Sequence, residues 1–311
     1  MMALVNGMLL AAGCGARMEP LSSVVPKPAL EVLGRPLLAS ALENLLRAGC
    51  TDIVVNLHRH PKQVAAAARE VSRGKVRFSW EPELLGGAGG VAAARPLLGD
   101  GAVLVGNADT WGDLDLIPMV VKLDDAVAVL GLMPHTDPGR WSSVVLDGEG
   151  RVSEFLSPGA DSRKERFLFT GFQVLGHEVV AALPEPPCEM GTVWNSLRRD
   201  GRLRGAVVTG TWREAGTPSS YRELVVDSLG GAAWVDASAE VEKGARVERS
   251  AVGAGCRVAT GAIITGCVLT AGAVVDSESR LTDCVLAGPV RVTRETISDT
   301  LVVPHHRVRL R

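Results

Sequence analysis

Arg17 and Lys27 place two positive charges in one stretch, Leu10 to Pro36, that also carries Gly13 and Gly15. A short apolar run, Met8 to Ala12, precedes it and predicts a buried first strand. The small residues Ala11, Ala12, Gly13 and Gly15 let backbone N–H groups come close to an anion. Amides and two cations in one loop suit a polyphosphate. Two commoner phosphate motifs are excluded. A Walker A loop closes with Gly-Lys-Ser/Thr, whereas Ala16-Arg17 follows Gly15. The dinucleotide fingerprint needs a third small residue where Met18 stands.

A carboxylate completes the set. Asp109 ends the run Val103-Leu104-Val105-Gly106-Asn107-Ala108-Asp109, just past a predicted buried strand. An acidic side chain there suits a Mg²⁺ ion bound chiefly by phosphates and water. Pro26 and Pro28 flank Lys27 and stiffen its loop, limiting the entropy lost in aiming a long side chain.

The pattern Gly-x-Gly-x-Arg, Pro20-Leu21, Pro26-Lys27-Pro28 and Gly34-Arg35-Pro36 resembles the signature of sugar-1-phosphate nucleotidylyltransferases, with a layout most like mannose-1-phosphate guanylyltransferases. The resemblance implies Mg²⁺-dependent transfer of a nucleotidyl group from a nucleoside triphosphate to a sugar 1-phosphate, with release of pyrophosphate. It gives Arg17 the triphosphate and the leaving pyrophosphate, and it sets Lys27 between the α-phosphate and the sugar phosphate. Leu10, Ala11, Ala12, Gly13 and Gly15, with Glu81, Gly86, Gly87 and Ala88 from the segment Glu81 to Gly90, become the nucleotide-binding residues. Asp109 and Glu214 become the metal ligands, although Ala108 and Glu214 replace the family's glycine and aspartate. Asn107, Thr170 and Gly171 fall on the sugar side. There the family's Glu-Lys-Pro corresponds to Leu156-Ser157-Pro158, and Arg151, Arg163, Lys164 and Arg166 are the candidates for the missing lysine. Guanylyl transfer to a mannose, heptose or cyclitol phosphate is the leading expectation, with uridylyl transfer open. The alternative is a non-catalytic regulatory or scaffold subunit on the same fold.

The elements that must position these residues follow from periodicity. Apolar runs at Met8–Ala12, Ile53–Leu57, Val76–Trp80, Val103–Gly106 and Ala126–Met133 alternate with helical segments from Pro36 to Ala48 and Pro61 to Ser72. Further strands are predicted at Ser143–Leu146, Val152–Leu156 and Phe167–Leu175, and a helix from Pro218 to Leu229. The fold class is therefore α/β: a Rossmann-like, mostly parallel mixed sheet with helices on both faces. After Trp234 the spacing changes to six, as in Val235, Val241, Val247 and then Val252, Val258, Ile264. That period predicts a parallel β-helix, and the resemblance makes it left-handed. The expected domains are 1–230, catalytic, and 231–311, β-helical.

Composition sets the outer bounds. A net charge of −2 over 311 residues argues against a nucleic-acid polymer as partner. No apolar run is long enough to span a membrane, and no basic segment precedes the first strand as in a signal peptide. Six cysteines without CxxC spacing read as reduced thiols in a cytoplasmic protein, with Cys256, Cys267 and Cys284 packed as small apolar side chains. The short β-helix implies a homo-oligomer, a dimer or trimer. His58-Arg59-His60 reads as a surface turn, and Pro304 to Arg311 as an exposed basic tail.

Overall fold

The computed structural model describes residues 5–123 and 127–310. The chain divides into two compact units that interleave in sequence: residues 1–13 with 38–212, and residues 14–37 with 213–311.

In the first unit, β1 (Asn6–Leu10) is followed by α1 (Leu38–Arg47), β2 (Ile53–Leu57), α2 (Pro61–Ser72), β3 (Val76–Trp80), α3 (Gly86–Leu98) and β4 (Val103–Asn107). Next come β5 (Ala128–Pro134), β6 (Ser143–Leu146), β7 (Val152–Leu156), β8 (Phe167–Leu175), α4 (Met190–Arg199) and β9 (Leu203–Val207). All nine strands join one sheet. Its path runs β7-β6-β8-β4-β1-β2-β3, with β5 also beside β8 and β9 beside β5. Strands β4, β1, β2 and β3 are mutually parallel. Strand β8 runs antiparallel to β4 and to β5, which makes the sheet mixed.

Burial explains the central strands. Met8, Leu9, Val54, Val55, Leu104 and Val105 are fully buried, and each such side chain contributes roughly 1.5–3 kcal/mol relative to exposure. Helix α1 repeats Leu38, Ala41, Leu42 and Leu45 on its buried face, and the chain turns away at Gly49 with φ +93°. The predicted helical start at Pro36 is corrected. Pro36 pairs with Glu31 in a small antiparallel hairpin, turned by Gly34 at φ +76°. Strand β1 is displaced two residues towards the N-terminus from its expected span, because the amides of Ala11 and Ala12 leave the sheet ladder for a side chain. Ala126, the first residue of the expected fifth strand, lies outside the described residues.

In the second unit, α5 (Pro218–Ser228) begins at a capping box. Thr217 Oγ1 accepts from the Ser220 amide, and Ser220 Oγ accepts from the Thr217 amide. Three parallel sheets then wind as a left-handed β-helix. Successive coils step by 17 residues, so Ala251 lies beside Val268 and Arg257 beside Val274, and the last step shortens to 16 where Arg280 pairs with Thr296 and Val285 with Leu301. Val252, Val258, Ile264, Val275, Leu281 and Val292 fill the interior, with Cys256, Cys267 and Cys284 packed among them. The expected basic tail is exposed from Pro304 to Arg307 and also forms a strand: His306–Arg309 pairs antiparallel with Thr300–Val303 and closes the last coil.

Candidate functional site

Strand β1 delivers the glycine loop at its carboxyl end. Asn56 of β2 holds the exit from the strand, its Oδ1 accepting from the amides of Ala11 at 2.6 Å and Ala12 at 3.2 Å. Those two amides are thus committed to the protein, and Ala11 and Ala12 are buried. Gly13 and Cys14, one step on, are exposed. A Cβ at Gly13 would meet nothing within 4 Å, so its surface is open to a ligand.

Asn56 also donates from Nδ2 to Glu81 Oε1 at 2.7 Å, while Glu81 Oε2 accepts from the Leu85 amide at 3.3 Å. Glu81 and Asn56 are both buried. The expected nucleotide contact at Glu81 is therefore, in its side chain, a strut between β2 and the start of α3. Gly86 begins α3 at φ +75°, where a Cβ would lie 2.5 Å from the Cys188 carbonyl oxygen. Only glycine fits that approach. Gly87 faces Leu10 and Met190, and Ala88 is wholly buried in the core.

The sugar-side residues lie at the carboxyl end of β4 and in the middle of β8. Leu10 lies beside Asn107 in the sheet, and the Ala108 amide donates to the Leu10 carbonyl at 3.1 Å. Asp109 follows directly and is half-buried. The turn beyond it is pinned by α1. Ser40 Oγ and Asn44 Nδ2 donate to the Gly112 carbonyl at 2.6 and 3.1 Å, and the Leu114 amide donates to Asn44 Oδ1 at 3.1 Å. Strand β8 slips register against β5 between Phe169 and Gln173, so Thr170 and Gly171 sit at an irregularity. Gly171 has φ +86° and lies against Asn107 and Thr110. The Thr170 carbonyl accepts from Thr110 Oγ1 at 3.2 Å and from Trp212 Nε1 at 2.9 Å. Trp212 in turn packs edge-to-face on Trp141, ring centroids 5.8 Å apart.

The second unit holds the cationic residues. Gly15 has φ +64°, and its carbonyl accepts from Ser22 Oγ at 3.1 Å. A Cβ there would press on Ser22 and Lys27 at 3.3 and 3.7 Å. Lys27 opens a single 3-10 turn, Lys27–Ala29, and is half-buried. Arg17 Nη2 donates to Glu214 Oε1 at 3.1 Å, with the arginine side chain 65% exposed and the glutamate 13%. Gly216 lets Arg17 lie flat: a Cβ there would be 3.2 Å from its Nη1.

Among the candidates for the missing sugar-side lysine, Lys164 pairs with Glu154, Arg151 pairs with Glu149, and Arg166 donates to the Ser162 carbonyl. Asn56, Asn44, Trp141 and Trp212 are absent from the expected set. A lone polar residue in an apolar strand is the one signal that marks Asn56.

Among the described residues, no three His, Cys, Asp or Glu side chains form a metal cluster, and no helix is long and apolar enough to cross a membrane. The family model described as nucleotidyl transferase matches residues 6–229. The chain is similar to an N-acetylmuramate alpha-1-phosphate uridylyltransferase of Neisseria meningitidis, 31% identical over 70% of this chain and 96% of the relative. It is similar to a mannose-1-phosphate guanyltransferase of Aspergillus oryzae, 25% identical over 70% of this chain and 62% of the relative. HddC from Yersinia pseudotuberculosis superimposes with a TM-score of 0.61 at 21% identity, over 72% of this chain and all of that one. At that identity the likeness attests the fold.

Proposed function

The chain belongs to the sugar-1-phosphate nucleotidylyltransferases, and from that premise we propose a Mg²⁺-dependent enzyme that joins a nucleoside triphosphate to a sugar 1-phosphate. The reaction is an in-line displacement. A sugar-phosphate oxygen attacks the α-phosphorus, the bond to the β-phosphate oxygen breaks, and pyrophosphate leaves. The attacking oxygen is already anionic, so no strong base is needed. The protein must hold two repelling anions and neutralise the charge that develops.

Arg17 takes the charge of the leaving pyrophosphate, and Lys27 bridges the α-phosphate and the sugar phosphate. The observation that carries this reading is Arg17 itself, mostly exposed yet fixed in direction by its ion pair with Glu214 and by close packing against Gly216. Asp109 and Glu214 supply hard carboxylate oxygens that fit Mg²⁺; Glu214 already holds a cation, the Arg17 guanidinium. When bound, the ion would offset phosphate charge. Gly13, Gly15 and the start of α3 receive the nucleotide, and Asn107, Thr170 and Gly171 receive the sugar. Residues 1–230 serve catalysis, and the β-helix of residues 231–311 serves assembly into a dimer or trimer. The reaction would run in the cytoplasm.

Guanylyl and uridylyl transfer both have support among the relatives. Pyrophosphate release should be measured for GTP, UTP, ATP, CTP and dTTP against hexose, heptose and cyclitol 1-phosphates, with Mg²⁺ and with EDTA. Release that needs one triphosphate, one sugar phosphate and the metal together is the expected result. Absence of both release and triphosphate binding would instead favour a regulatory subunit.

A further inference from the structure

The sugar side of the first unit carries an arginine that the sequence motifs do not single out. The guanidinium carbon of Arg140 lies 5.0 Å from the centroid of the Trp141 ring. Trp141 packs on Trp212, and Trp212 Nε1 donates to the carbonyl of Thr170. Side chain by side chain, Arg140 is therefore connected to the Thr170-Gly171 step.

The loop bearing it is anchored. The Trp141 and Arg140 amides donate to the Asp137 carbonyl at 3.3 and 3.2 Å, and the Arg140 amide also reaches Asp137 Oδ1 at 3.2 Å. The Trp141 carbonyl lies 3.3 Å from His135 Nε2. A further bond, from the Gly159 amide to the Pro138 carbonyl at 2.8 Å, ties this loop to the segment Leu156-Ser157-Pro158. That segment is where the two charges expected on the sugar side are missing. Arg151 and Lys164 are committed to carboxylates. Arg140 is exposed, and among the described residues its guanidinium pairs with no carboxylate.

We propose that Arg140, carried on the face of Trp141, is the anion-reading residue of the sugar subsite, with Trp141 and Trp212 forming its apolar wall. A stacked guanidinium is oriented while its N–H groups remain free to grip an oxyanion in bidentate fashion. The anion is either the 1-phosphate itself or a carboxylate carried on the sugar. The proposal rests on the reading of Thr170 and Gly171 as sugar-side residues.

The test compares the wild-type protein with Arg140→Gln and Arg140→Lys, using two matched pairs of probes. These are glucose 1-phosphate with glucuronic acid 1-phosphate, and N-acetylglucosamine 1-phosphate with N-acetylmuramic acid 1-phosphate. Each is titrated calorimetrically onto the protein, and KM and kcat are measured for any that react. A loss of about tenfold or more in affinity for both members of a pair identifies the 1-phosphate as the anion. Loss confined to the acidic member identifies a sugar carboxylate. In both cases the KM for triphosphate stays unchanged, and Arg140→Lys recovers only part of the loss because an ammonium cannot make the bidentate contact. Unchanged affinities in Arg140→Gln, or no binding of any probe to the wild type, overturn the proposal. Triphosphate binding and pyrophosphate release, followed separately, report on the family reaction itself. Trp141→Leu gives a second reading: removing the platform should weaken the same probes that Arg140→Gln weakens.

Discussion

Arg17 and Glu214, 197 residues apart in sequence, form an ion pair of 3.1 Å in which the arginine is largely exposed and the glutamate largely covered. The pair holds the arginine without burying it. A surface pair of this kind adds little to stability, so its consequence is direction. Arg17→Ala should leave the fold and the melting temperature nearly unchanged while lowering kcat/KM by about a hundredfold or more, the scale of losing one preorganised charge contact. Glu214→Gln should raise the Mg²⁺ concentration needed for half-maximal rate. If Glu214→Gln changed neither rate nor metal dependence, both assigned roles of Glu214 would be removed.

Lys27→Ala provides a separate check on phosphate binding. Turnover should fall strongly while circular dichroism stays that of the parent protein, because a half-buried lysine in a single 3-10 turn is not a core element. Near-normal activity in this variant would contradict the assignment of Lys27 to the phosphates.

Asn56 should behave in the opposite manner, because it is a strut. Its removal leaves the amides of Ala11 and Ala12 and the carboxylate of Glu81 without their buried partner. Leaving such groups unpaired costs about 1–3 kcal/mol each. Asn56→Ala should therefore show a lower denaturation midpoint together with weaker triphosphate binding. A variant with unaltered stability would mean that the loop finds other partners.

The cysteines offer a chemical footprint. Cys14 is exposed in the glycine loop, whereas Cys50 is buried and its thiol is pushed up to about 12 by that burial. Iodoacetamide near pH 8 should alkylate Cys14 well before Cys50. A saturating nucleoside triphosphate with Mg²⁺ should slow the Cys14 reaction alone, as read by peptide mass spectrometry. Equal rates with and without nucleotide would place the ligand elsewhere.

The β-helix should soften in acid. Hydrogen bonds from Arg291 hold the Asp276 carboxyl below its ordinary value, and the Thr260 amide and then Arg257 do the same for Glu242. Because these carboxyls lose their protons more readily in the folded chain, their contribution is complete above the unfolded carboxyl range. It disappears as pH falls through the lowered folded values. Both groups are half-buried and sit at the surface, so the effect is modest and salt reduces it. Melting temperature should decline between neutral pH and about pH 3, less steeply in Asp276→Asn.

Much of the fold was legible because burial writes a period into the chain. Ile53–Leu57, Val76–Trp80 and Phe167–Leu175 occur as their apolar runs predict, and the six-residue spacing after Trp234 emerges as stacked coils. Leu203–Val207 was not legible, since Arg204 and Gly205 break the apolar run of a strand that is set by its neighbour, Ala128–Pro134. The glycine loop, Arg17 and Lys27 announce themselves by type and spacing. The strut at Asn56, the Asn44 latch and the Trp141–Trp212 pair do not. Their meaning comes from partners far away in the chain, which no local pattern records.

The interleaving of the two units has a consequence for biosynthesis. Residues 14–37 belong to a unit whose remainder begins only at residue 213. At about 5–20 residues per second, Arg17 is joined to the growing chain roughly 10–40 s before Glu214. The loop that would meet the triphosphate is thus among the first segments translated and among the last to gain its counterpart. A nascent chain stopped before residue 213 should expose residues 14–37 to protease and bind no nucleotide.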